Sequence, residues 1–393
     1  MDFVSKRFTA WPFFAPDEIE AVVKILQSGK VNYWTGGEGR SFEKEFAAKA
    51  GRKHAVALAN GTVALELALR VLGIGPGDEV VVTPRTFVAS ASCVVAVGAK
   101  PVFADVDSES QNITAETIER ALTRRTKAVI PVHLAGWPCA MPDIMSLAEK
   151  HGLKVIEDCA QAHGATYKGR PAGSFGHMAA FSFCQDKILT TGGEGGMLVT
   201  DDKSLWKKAW SYKDHGKSYD AVYRRRHPPG FRWLHEDFGT NWRMTEMQAA
   251  IGRVILRKLD KWVERRRRFA AMLTKAFQNV PALRVTVPSR EVYHSYYKYY
   301  VFVRTDCLKT GWNRDRIMTQ ILRRGIPCFS GSCGEIYMEK AFEKHALRPK
   351  KRLQTARRLG ETSLMFLVHP TLEESDIAAT VDAVKTVMAK AVR

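Results

Sequence analysis

The feature that most constrains this 393-residue chain is a repeated alternation of short apolar runs with helical patterns between about residues 56 and 200. The apolar runs include residues 79–83 (EVVVT), 128–132 (AVIPV) and 178–183 (MAAFSF). Runs of this length without polar alternation predict strands buried on both faces, and helices between them favour a mostly parallel sheet. Such sheets bind ligands at the carboxyl ends of their strands.

The pattern changes after about residue 245, where apolar positions at spacings of three and four predict one long helix, with or without a kink, over residues 245–277. A strand is predicted at residues 299–304, and helices are predicted at residues 314–323 and 377–391. We therefore expect an α/β fold with two domains. The large domain would span residues 15–250 and a smaller C-terminal α+β domain residues 251–393, after an N-terminal segment of residues 1–14.

Composition indicates an ordinary globular protein, since 45% of the residues are hydrophobic and 26% are charged. No signal peptide and no membrane-spanning run is recognised, so a cytoplasmic location is expected. The seven cysteines form no Cys-x-x-Cys pair, which argues against disulfides and structural zinc. Cys159 and His163 lie four residues apart, but no further ligands cluster nearby, and no metal is expected.

The net charge of +19 suggests an anionic partner. Basic runs occur at residues 224–226 and 265–268, but the second run lies in the predicted long helix and is interpreted as a solvated face. No recognisable nucleic-acid-binding module accompanies these runs. A small anion such as a nucleotide diphosphate explains part of the excess charge more economically, and binding of nucleic acid is kept as an alternative.

Lys187 follows an apolar strand and precedes a glycine-rich turn in residues 181–196 (FSFCQDKILTTGGEGG). A lysine at the carboxyl end of a buried strand can be partly desolvated, which makes its amine available for Schiff-base chemistry. Ser182, five residues earlier, can donate to a phosphate, and the glycines allow a flat cofactor to approach the backbone. A solvated lysine beside a glycine loop is the alternative interpretation.

Asp158 ends the predicted strand at residues 153–158 (LKVIED) and so lies where a parallel sheet binds ligands. A carboxylate there can bind the ring nitrogen of a pyridine-type cofactor, although an Asp that caps the next helix is the alternative. Glu157 points to the opposite face of the strand, so only Asp158 is expected to serve.

Gly61 and Thr62 stand at the junction between the apolar run 56–59 and a helical pattern. The first amides of that helix and the Thr62 hydroxyl form a natural phosphate site, and an ordinary helix cap is the alternative. The usual glycine-rich nucleotide motifs are absent from the chain.

Nine sequence blocks, in order, resemble those of the DegT-type sugar aminotransferases, a branch of the fold-type I pyridoxal-phosphate (PLP) enzymes, over about residues 15–376. The blocks are residues 61–65, 77–84, 86–90, 101–105, 123–127 with 131–134, 157–161, 182–196, 215–216 and 241–246. The resemblance implies a fold-type I aminotransferase, with a mostly parallel central sheet flanked by helices and a smaller C-terminal α+β domain.

The resemblance also implies roles for residues around a PLP ring. Lys187 would carry the cofactor as a Schiff base and act as the catalytic base and acid, and Asp158 would pair with the pyridine nitrogen. Gln161 would hydrogen-bond the ring hydroxyl, and Phe87 would stack on the ring face.

Further roles are implied at the phosphate and at the partner subunit. Gly61, Thr62 and Ser182 would hold the phosphate, with Asn60 standing where the family usually has Ser. Asn241 would reach the phosphate of the other subunit's cofactor, which implies a homodimer with shared active sites.

Substrate contacts are implied less directly. His215 and Arg243 are candidates. The segment 328–337 is expected to shape a sugar pocket, with Tyr337 as a candidate contact, and a plain loop is the alternative. Either the basic residues 224–226 or Arg243 are expected to bind a diphosphate by bidentate pairing.

The implied activity is transfer of an amino group from L-glutamate, by way of pyridoxamine phosphate, to the keto group of a nucleotide-linked sugar in polysaccharide or lipopolysaccharide biosynthesis. A 4-keto-6-deoxyhexose is the commonest target in the family. Related enzymes that remove a sugar hydroxyl have His in place of the lysine, so Lys187 favours amino transfer. A 3-keto sugar, a keto-uronic acid, another PLP reaction on a sugar and a non-catalytic PLP-binding regulator are alternatives.

Overall fold

The computed structural model describes residues 8–393, so residues 1–7 of the predicted N-terminal segment lie outside the described residues. The α-helices within that range are α1 (Pro16–Ser28), α2 (Glu38–Lys49), α3 (Gly61–Val71), α4 (Ala89–Ala96), α5 (Ala115–Glu119), α6 (Met141–His151), α7 (Lys203–Tyr212), α8 (Tyr219–Tyr223), α9 (Glu246–Phe277), α10 (Arg314–Leu322), α11 (Lys340–Lys344), α12 (Gln354–Thr362) and α13 (Glu374–Ala391). Short 3-10 helices span Leu134–Gly136, Thr305–Cys307 and Ile336–Met338. Among these helices, none is both long and apolar enough to cross a membrane.

The strands of residues 8–393 form three sheets. They are β1 (His54–Leu58), β2 (Glu79–Val82), β3 (Lys100–Phe103), β4 (Thr126–Ile130), β5 (Lys154–Asp158), β6 (Thr166–Tyr167), β7 (Arg170–Pro171), β8 (Met178–Ser182), β9 (Gly196–Thr200), β10 (Leu283–Val285), β11 (Val292–Tyr293), β12 (Tyr299–Val303), β13 (Cys328–Phe329) and β14 (Ser363–Phe366). The orders of neighbouring strands are β1-β9-β8-β5-β4-β2-β3, β10-β12-β14-β13 and β11-β6-β7.

The seven-stranded sheet confirms the prediction of a mostly parallel sheet. Strands β3, β2, β4, β5 and β8 pair in parallel, and only β9 runs antiparallel to its neighbours β8 and β1. Burial on both faces explains the continuous apolar runs. In β2, Val80 and Val82 pack into one core and Val81 packs into another on the opposite side.

Helix α9 joins the large and small parts of the chain. Its start is fixed by a capping box in which Thr245 and Gln248 each bond the other's backbone amide. Ile255, in its first half, packs with α2 and the large sheet, whereas Phe269 and Leu273 belong to the core around the four-stranded sheet. The helix is continuous over 32 residues, so the domain boundary that we place at residue 251 falls inside it.

The basic run 265–268 is only partly a solvated face, which corrects the interpretation from sequence. Arg266 is 1% exposed and donates from Nη1 to the carbonyl oxygen of Tyr297 at 3.2 Å. Arg265 and Arg267 donate to backbone carbonyls outside the helix, at 2.6 and 2.9 Å. These arginines are wholly or partly buried because α9 lies between the two cores. Their side chains there form hydrogen bonds to neighbouring segments of the chain.

A buried ion pair ties α2 to the end of α7. Lys213 donates from Nζ to Glu43 Oε1 at 2.9 Å, and its side chain is completely buried. Glu43 also accepts from the Tyr33 hydroxyl at 3.0 Å and from the Ala57 amide at 2.9 Å. Because each carboxylate oxygen has partners, the desolvation of both charges is compensated only while the pair is intact.

Breaking this pair on one side should therefore destabilise the fold strongly. For Lys213→Met we expect the free energy of unfolding to fall by about 3–5 kcal/mol, because Glu43 is left as a buried charge. Urea unfolding followed by tryptophan fluorescence measures the loss.

The matched control is Lys49→Met, which removes an exposed pair with Asp260 at 2.5 Å and should cost less than about 1 kcal/mol. Combining Lys213→Met with Glu43→Gln should restore part of the loss. Equal small losses for the buried and the exposed pair would contradict this expectation.

Candidate active site

An open cavity of about 700 Å³ lies at the carboxyl edge of the large sheet. The ends of neighbouring strands β5 and β8 supply Asp158 and Ser182 to its wall, and the start of α3 supplies Gly61 and Thr62. Lys187 reaches the same cavity from the loop after β8. Parallel pairing of β5 with β8 brings these chain segments together. The cavity thus lies at the carboxyl ends of the strands, where parallel sheets bind ligands.

The amine of Lys187 is held by polar groups of its own chain. Its Nζ lies 3.0 Å from Oδ1 of Asp186 and 3.4 Å from the hydroxyl of Tyr297. The side chain is 17% exposed, so the amine is neither a free surface group nor sealed in the core. It is placed where a carbonyl compound in the cavity can reach it, which is the geometry that Schiff-base chemistry needs.

Asp158 is fixed in one orientation at the inner wall of the cavity. Its Oδ2 accepts from the Ser90 hydroxyl at 2.7 Å, and its Oδ1 accepts from the Ala160 amide at 3.1 Å. Ser90 in turn contacts the hydroxyl of Thr86 at 2.9 Å. Burial raises the pKa of Asp158 above its ordinary value, although the hydrogen bond from Ser90 works in the opposite direction. A cationic ring nitrogen placed against this carboxylate would compensate its desolvation.

Gln161 and Phe87 line the same cavity. The Gln161 carbonyl oxygen accepts from the Ala135 amide at 2.8 Å, so its NH₂ group is the end that can donate to a ring hydroxyl. Phe87 is 68% exposed, which leaves a large part of its ring free to stack on a flat ligand.

The start of α3 lies unusually close to β8. A Cβ added at Gly61 would lie 2.6 Å from the Cβ of Ser182, so no other residue fits there without moving the helix. Asn60 caps the helix by accepting from the Val63 amide at 3.0 Å, which leaves the Gly61 and Thr62 amides for an anion. The Ser182 hydroxyl borders the same cavity, and together these donors suit a phosphate.

The glycines after Lys187 are explained by packing within the chain and not, as the sequence suggests, by the approach of a flat cofactor. A Cβ at Gly196 would lie 2.2 Å from the carbonyl oxygen of Asn60, and one at Gly195 would lie 2.1 Å from the Thr191 hydroxyl. These glycines therefore allow the chain to approach itself, and it is Glu194 from this turn that lines the cavity.

The other expected site residues lie outside this cavity in the described chain. Asn241 and His215 are exposed. An isolated β-bridge between Asp214 and Asn241 joins the two segments that contain them. Arg243 donates from Nη1 to Asp214 Oδ1 at 2.6 Å. In the basic run 224–226, the first two arginines form ion pairs with carboxylates on the surface.

The structure corrects the expectation for Tyr337. This side chain is 1% exposed and packs against Phe103 in the core, and its hydroxyl binds Glu335 and the Leu353 amide. It is buried because the segment 328–337 folds back into the core after passing the cavity. Ser332 is the residue of this segment that lines the cavity.

Three residues that sequence reasoning did not assign take part in the site. Asp186 is adjacent to Lys187 in sequence, and this adjacency is a signal from which their contact can be predicted. Ser90 lies in one of the resembling blocks, but nothing in the sequence pairs it with Asp158. Tyr297 is 110 residues from Lys187, and no local pattern points to their contact.

The structure also corrects the expectation that Cys159 has no further ligand groups nearby. Cys159, His133 and Glu157 offer atoms within 4.8 Å of one another, and His163 is not part of this group. His133 Nε2 lies 3.0 Å from Glu157 Oε2, and Glu157 accepts from three amides of residues 173–176 at 2.7–2.8 Å. These hydrogen bonds explain why His133 and Glu157 lie together in the buried part of the protein.

Comparison with known proteins places this geometry in a family. The sequence profile of the DegT/DnrJ/EryC1/StrS aminotransferase family matches residues 13–385. An aminotransferase from Psychrobacter cryohalolentis, known from its X-ray structure, is 57% identical and superposes with a TM-score of 0.96 over 97% of this chain and 99% of that chain.

Two further relatives carry names that state a reaction. The UDP-N-acetyl-3-dehydro-α-D-glucosamine 3-aminotransferase of Acidithiobacillus ferrooxidans is 39% identical over 371 residues, which is 93% of each chain. A GDP-perosamine synthase of Caulobacter vibrioides is 37% identical over 370 residues, which is 90% of this chain and 92% of that one. The family match spans nearly the whole chain, which confirms the expected fold, cofactor and enzyme class: the chain belongs to the DegT/DnrJ/EryC1/StrS aminotransferase family and is a pyridoxal-phosphate-dependent sugar aminotransferase.

Proposed function

We propose that the enzyme transfers an amino group from L-glutamate to the keto group of a nucleotide-linked 4-keto-6-deoxyhexose. The observation that carries the proposal is the meeting of the Lys187 amine, the Asp158 carboxylate and the amides of Gly61 and Thr62 in one cavity of about 700 Å³. A cavity of this size also leaves room for a substrate beside a cofactor.

The residues present fit PLP at both of its ends. Gly61, Thr62 and Ser182 would hold the phosphate, and Asp158 would bind the pyridine nitrogen. Bound there, the cofactor supplies a carbonyl carbon for the amino group and a ring that accepts electrons. Lys187 would hold the cofactor. As a free amine it would then move a proton from the α-carbon of the amino acid to the cofactor.

The remaining side chains of the site would orient Asp158 or the cofactor, or shield the cofactor from water. Ser90 keeps Asp158 directed at the cavity, because its hydroxyl donates to Oδ2 at 2.7 Å. Gln161 would donate its NH₂ group to the ring hydroxyl, and Phe87 would cover the ring face and exclude water from it.

The position of the keto group is the point on which the relatives differ. The 3-aminotransferase of Acidithiobacillus ferrooxidans, at 39% identity, supports a 3-keto sugar as a second candidate. A Streptomyces venezuelae relative, 36% identical over 368 residues, is also named for a 3-amino sugar. The names of the relatives include UDP, dTDP and GDP, so each of the three nucleotides is a candidate carrier.

We also propose that two copies of the chain share their active sites. Asn241 is exposed and lies outside the cavity of its own chain, which supports a role at the cofactor of a partner. Nearby, Phe231, Trp233 and Phe238 are 78–93% exposed, which is unusual for large apolar side chains and supports an interface on this segment.

Absorbance of the purified protein with PLP tests the first half of the reaction. We expect a visible band from the Lys187-bound cofactor, and we expect L-glutamate to replace it with the near-ultraviolet band of pyridoxamine phosphate. Lys187→Ala should lack the first band, because the described residues that line the cavity include no other lysine. A wild-type protein that binds PLP but does not respond to glutamate would contradict the proposed donor.

The acceptor is tested by adding keto sugars to the pyridoxamine form and watching the visible band return. UDP-, dTDP- and GDP-linked 4-keto-6-deoxyhexoses are compared with 3-keto sugars and keto-uronic acids on the same nucleotides. Return of the band with 3-keto sugars alone would replace the first candidate by the second.

Gly61→Ala should weaken PLP binding while the chain still folds. The added methyl meets Ser182 at 2.6 Å and pushes the start of α3 away from β8, so the phosphate donors separate. We expect the dissociation constant for PLP to rise about ten- to hundredfold, since overpacking costs about 1–3 kcal/mol. Fluorescence titration of cofactor-free protein measures it.

Gly37→Ala is the matched control, because a Cβ at Gly37 meets nothing within 4 Å. Its dissociation constant should equal that of the wild type. An unchanged constant for Gly61→Ala would show that the close approach of α3 to β8 does not shape the phosphate site.

Mixed dimers test the shared active site. In a dimer of one Lys187→Ala chain and one Asn241→Ala chain, purified by two different tags, one site is intact only if Asn241 acts across the interface. We expect about half of the wild-type activity in that case, and almost none in either variant alone. If Asn241 acts within its own chain, the mixed dimer contains no intact site and stays inactive.

A further inference from the structure

The carboxylate next to Lys187 is built into the cavity with a support of its own. Asp186 Oδ1 lies 3.0 Å from Lys187 Nζ, and its other oxygen, Oδ2, accepts a short hydrogen bond from the Tyr297 hydroxyl. Tyr297 is 7% exposed, and both Asp186 and Tyr297 line the cavity. The two oxygens of Asp186 thus have separate partners, so the side chain is directed at the amine.

The surroundings of this contact are rich in positive charge. Arg266 and Lys298 are close enough to interact electrostatically with Asp186, and Arg266 is almost fully buried. Burial raises the pKa of Asp186, but the neighbouring Lys187 and the Tyr297 hydroxyl outweigh burial, so the pKa lies below its ordinary value. Asp186 is therefore an ionised carboxylate that faces several cations.

We propose that Asp186, oriented by Tyr297, is a positioning residue that binds the Lys187 amine whenever that amine is not bonded to the cofactor. The inference rests on the proposed role of Lys187 as the residue that holds PLP. It extends that role, because it assigns a place to the lysine during the half of the reaction in which the lysine is free.

The contact has a thermodynamic consequence. An amine that is bonded to PLP cannot at the same time be an ammonium group at Asp186, so the ion pair stabilises only the states in which Lys187 is free. Since the pyridoxamine form is such a state, Asp186 shifts the equilibrium with glutamate and 2-oxoglutarate toward it. Loss of the carboxylate then favours the form in which Lys187 is bonded.

The competing explanation is an ordinary surface ion pair. The Asp186 side chain is 45% exposed, and exposed pairs often contribute little. The two explanations differ in a measurable way, because a surface pair would change neither the reactivity of the Lys187 amine nor the equilibrium of the half-reaction.

Acetylation of the full chain freed of cofactor tests the contact itself. A trace of acetic anhydride at pH 8 modifies only neutral amines, and peptide mass spectrometry reports Lys187 relative to the exposed Lys127. We expect Lys187 to be labelled about threefold faster or more in Asp186→Asn, because the carboxylate contact at 3.0 Å no longer occupies the amine. Tyr297→Phe should act in the same direction with a smaller effect. Equal labelling rates in wild type and Asp186→Asn would overturn the inference.

Absorbance titration of the PLP-loaded protein tests the consequence. The ratio of glutamate to 2-oxoglutarate that converts half of the cofactor should be about three- to tenfold higher in Asp186→Asn than in wild type. Faster labelling without a shift of this ratio would overturn the role of Asp186 in the half-reaction.

Glu194→Gln is the matched control for both measurements. Glu194 is the other acid in the wall of the cavity that lies close in sequence to Lys187, and its Oε1 is 3.8 Å from Cys184 Sγ. Shifts of equal size in Glu194→Gln and Asp186→Asn would assign the effect to the charge of the cavity and overturn a specific contact. If wild type does not respond to glutamate, the proposed donor fails, whereas the labelling result still decides whether Asp186 binds the amine.

Discussion

The parallel pairing of β5 with β8 is the interaction on which the rest of the site depends. It brings the carboxyl ends of two strands to the same edge, with Asp158 opposite Ala180 in the register. Asp158 and Ser182 therefore lie on one wall although 24 residues separate them in sequence. Lys187 follows β8 by five residues and cannot be far from that wall. The Lys187 amine, the Asp158 carboxylate and the Ser182 hydroxyl thus meet because of sheet topology.

Close backbone contact gives this edge its shape. The start of α3 can approach β8 and β9 only because Gly61 and Gly196 lack side chains that would collide with Ser182 and with the Asn60 carbonyl oxygen. The approach brings the first residues of α3, Gly61 and Thr62, to the wall of the cavity, where helix amides can bind an anion. The same packing within the chain therefore shapes the part of the cavity that we propose as the phosphate site.

The small part of the chain completes the site through α9. Arg266 on this helix donates to the carbonyl oxygen of Tyr297 at 3.2 Å and so fixes the residue whose hydroxyl holds Asp186. The helix is anchored in both cores, so the position of Tyr297 relative to Lys187 is set by packing far from the cavity. This arrangement explains why a basic residue within a predicted solvated face is buried.

Sequence patterns predict the order and type of the main elements, the polar residues Asp158 and Ser182 at the ends of two strands, and Lys187 in the loop that follows the second strand. Continuous apolar runs, apolar positions at spacings of three and four, and adjacency along the chain are local signals that can be read from a sequence. Other features are visible only in the folded chain: Ser90 supports Asp158, Tyr297 contacts Asp186, and Tyr337 belongs to the core. These facts depend on contacts between segments far apart in the chain, and such contacts are fixed by the packing of whole elements, which leaves no pattern in the neighbouring residues.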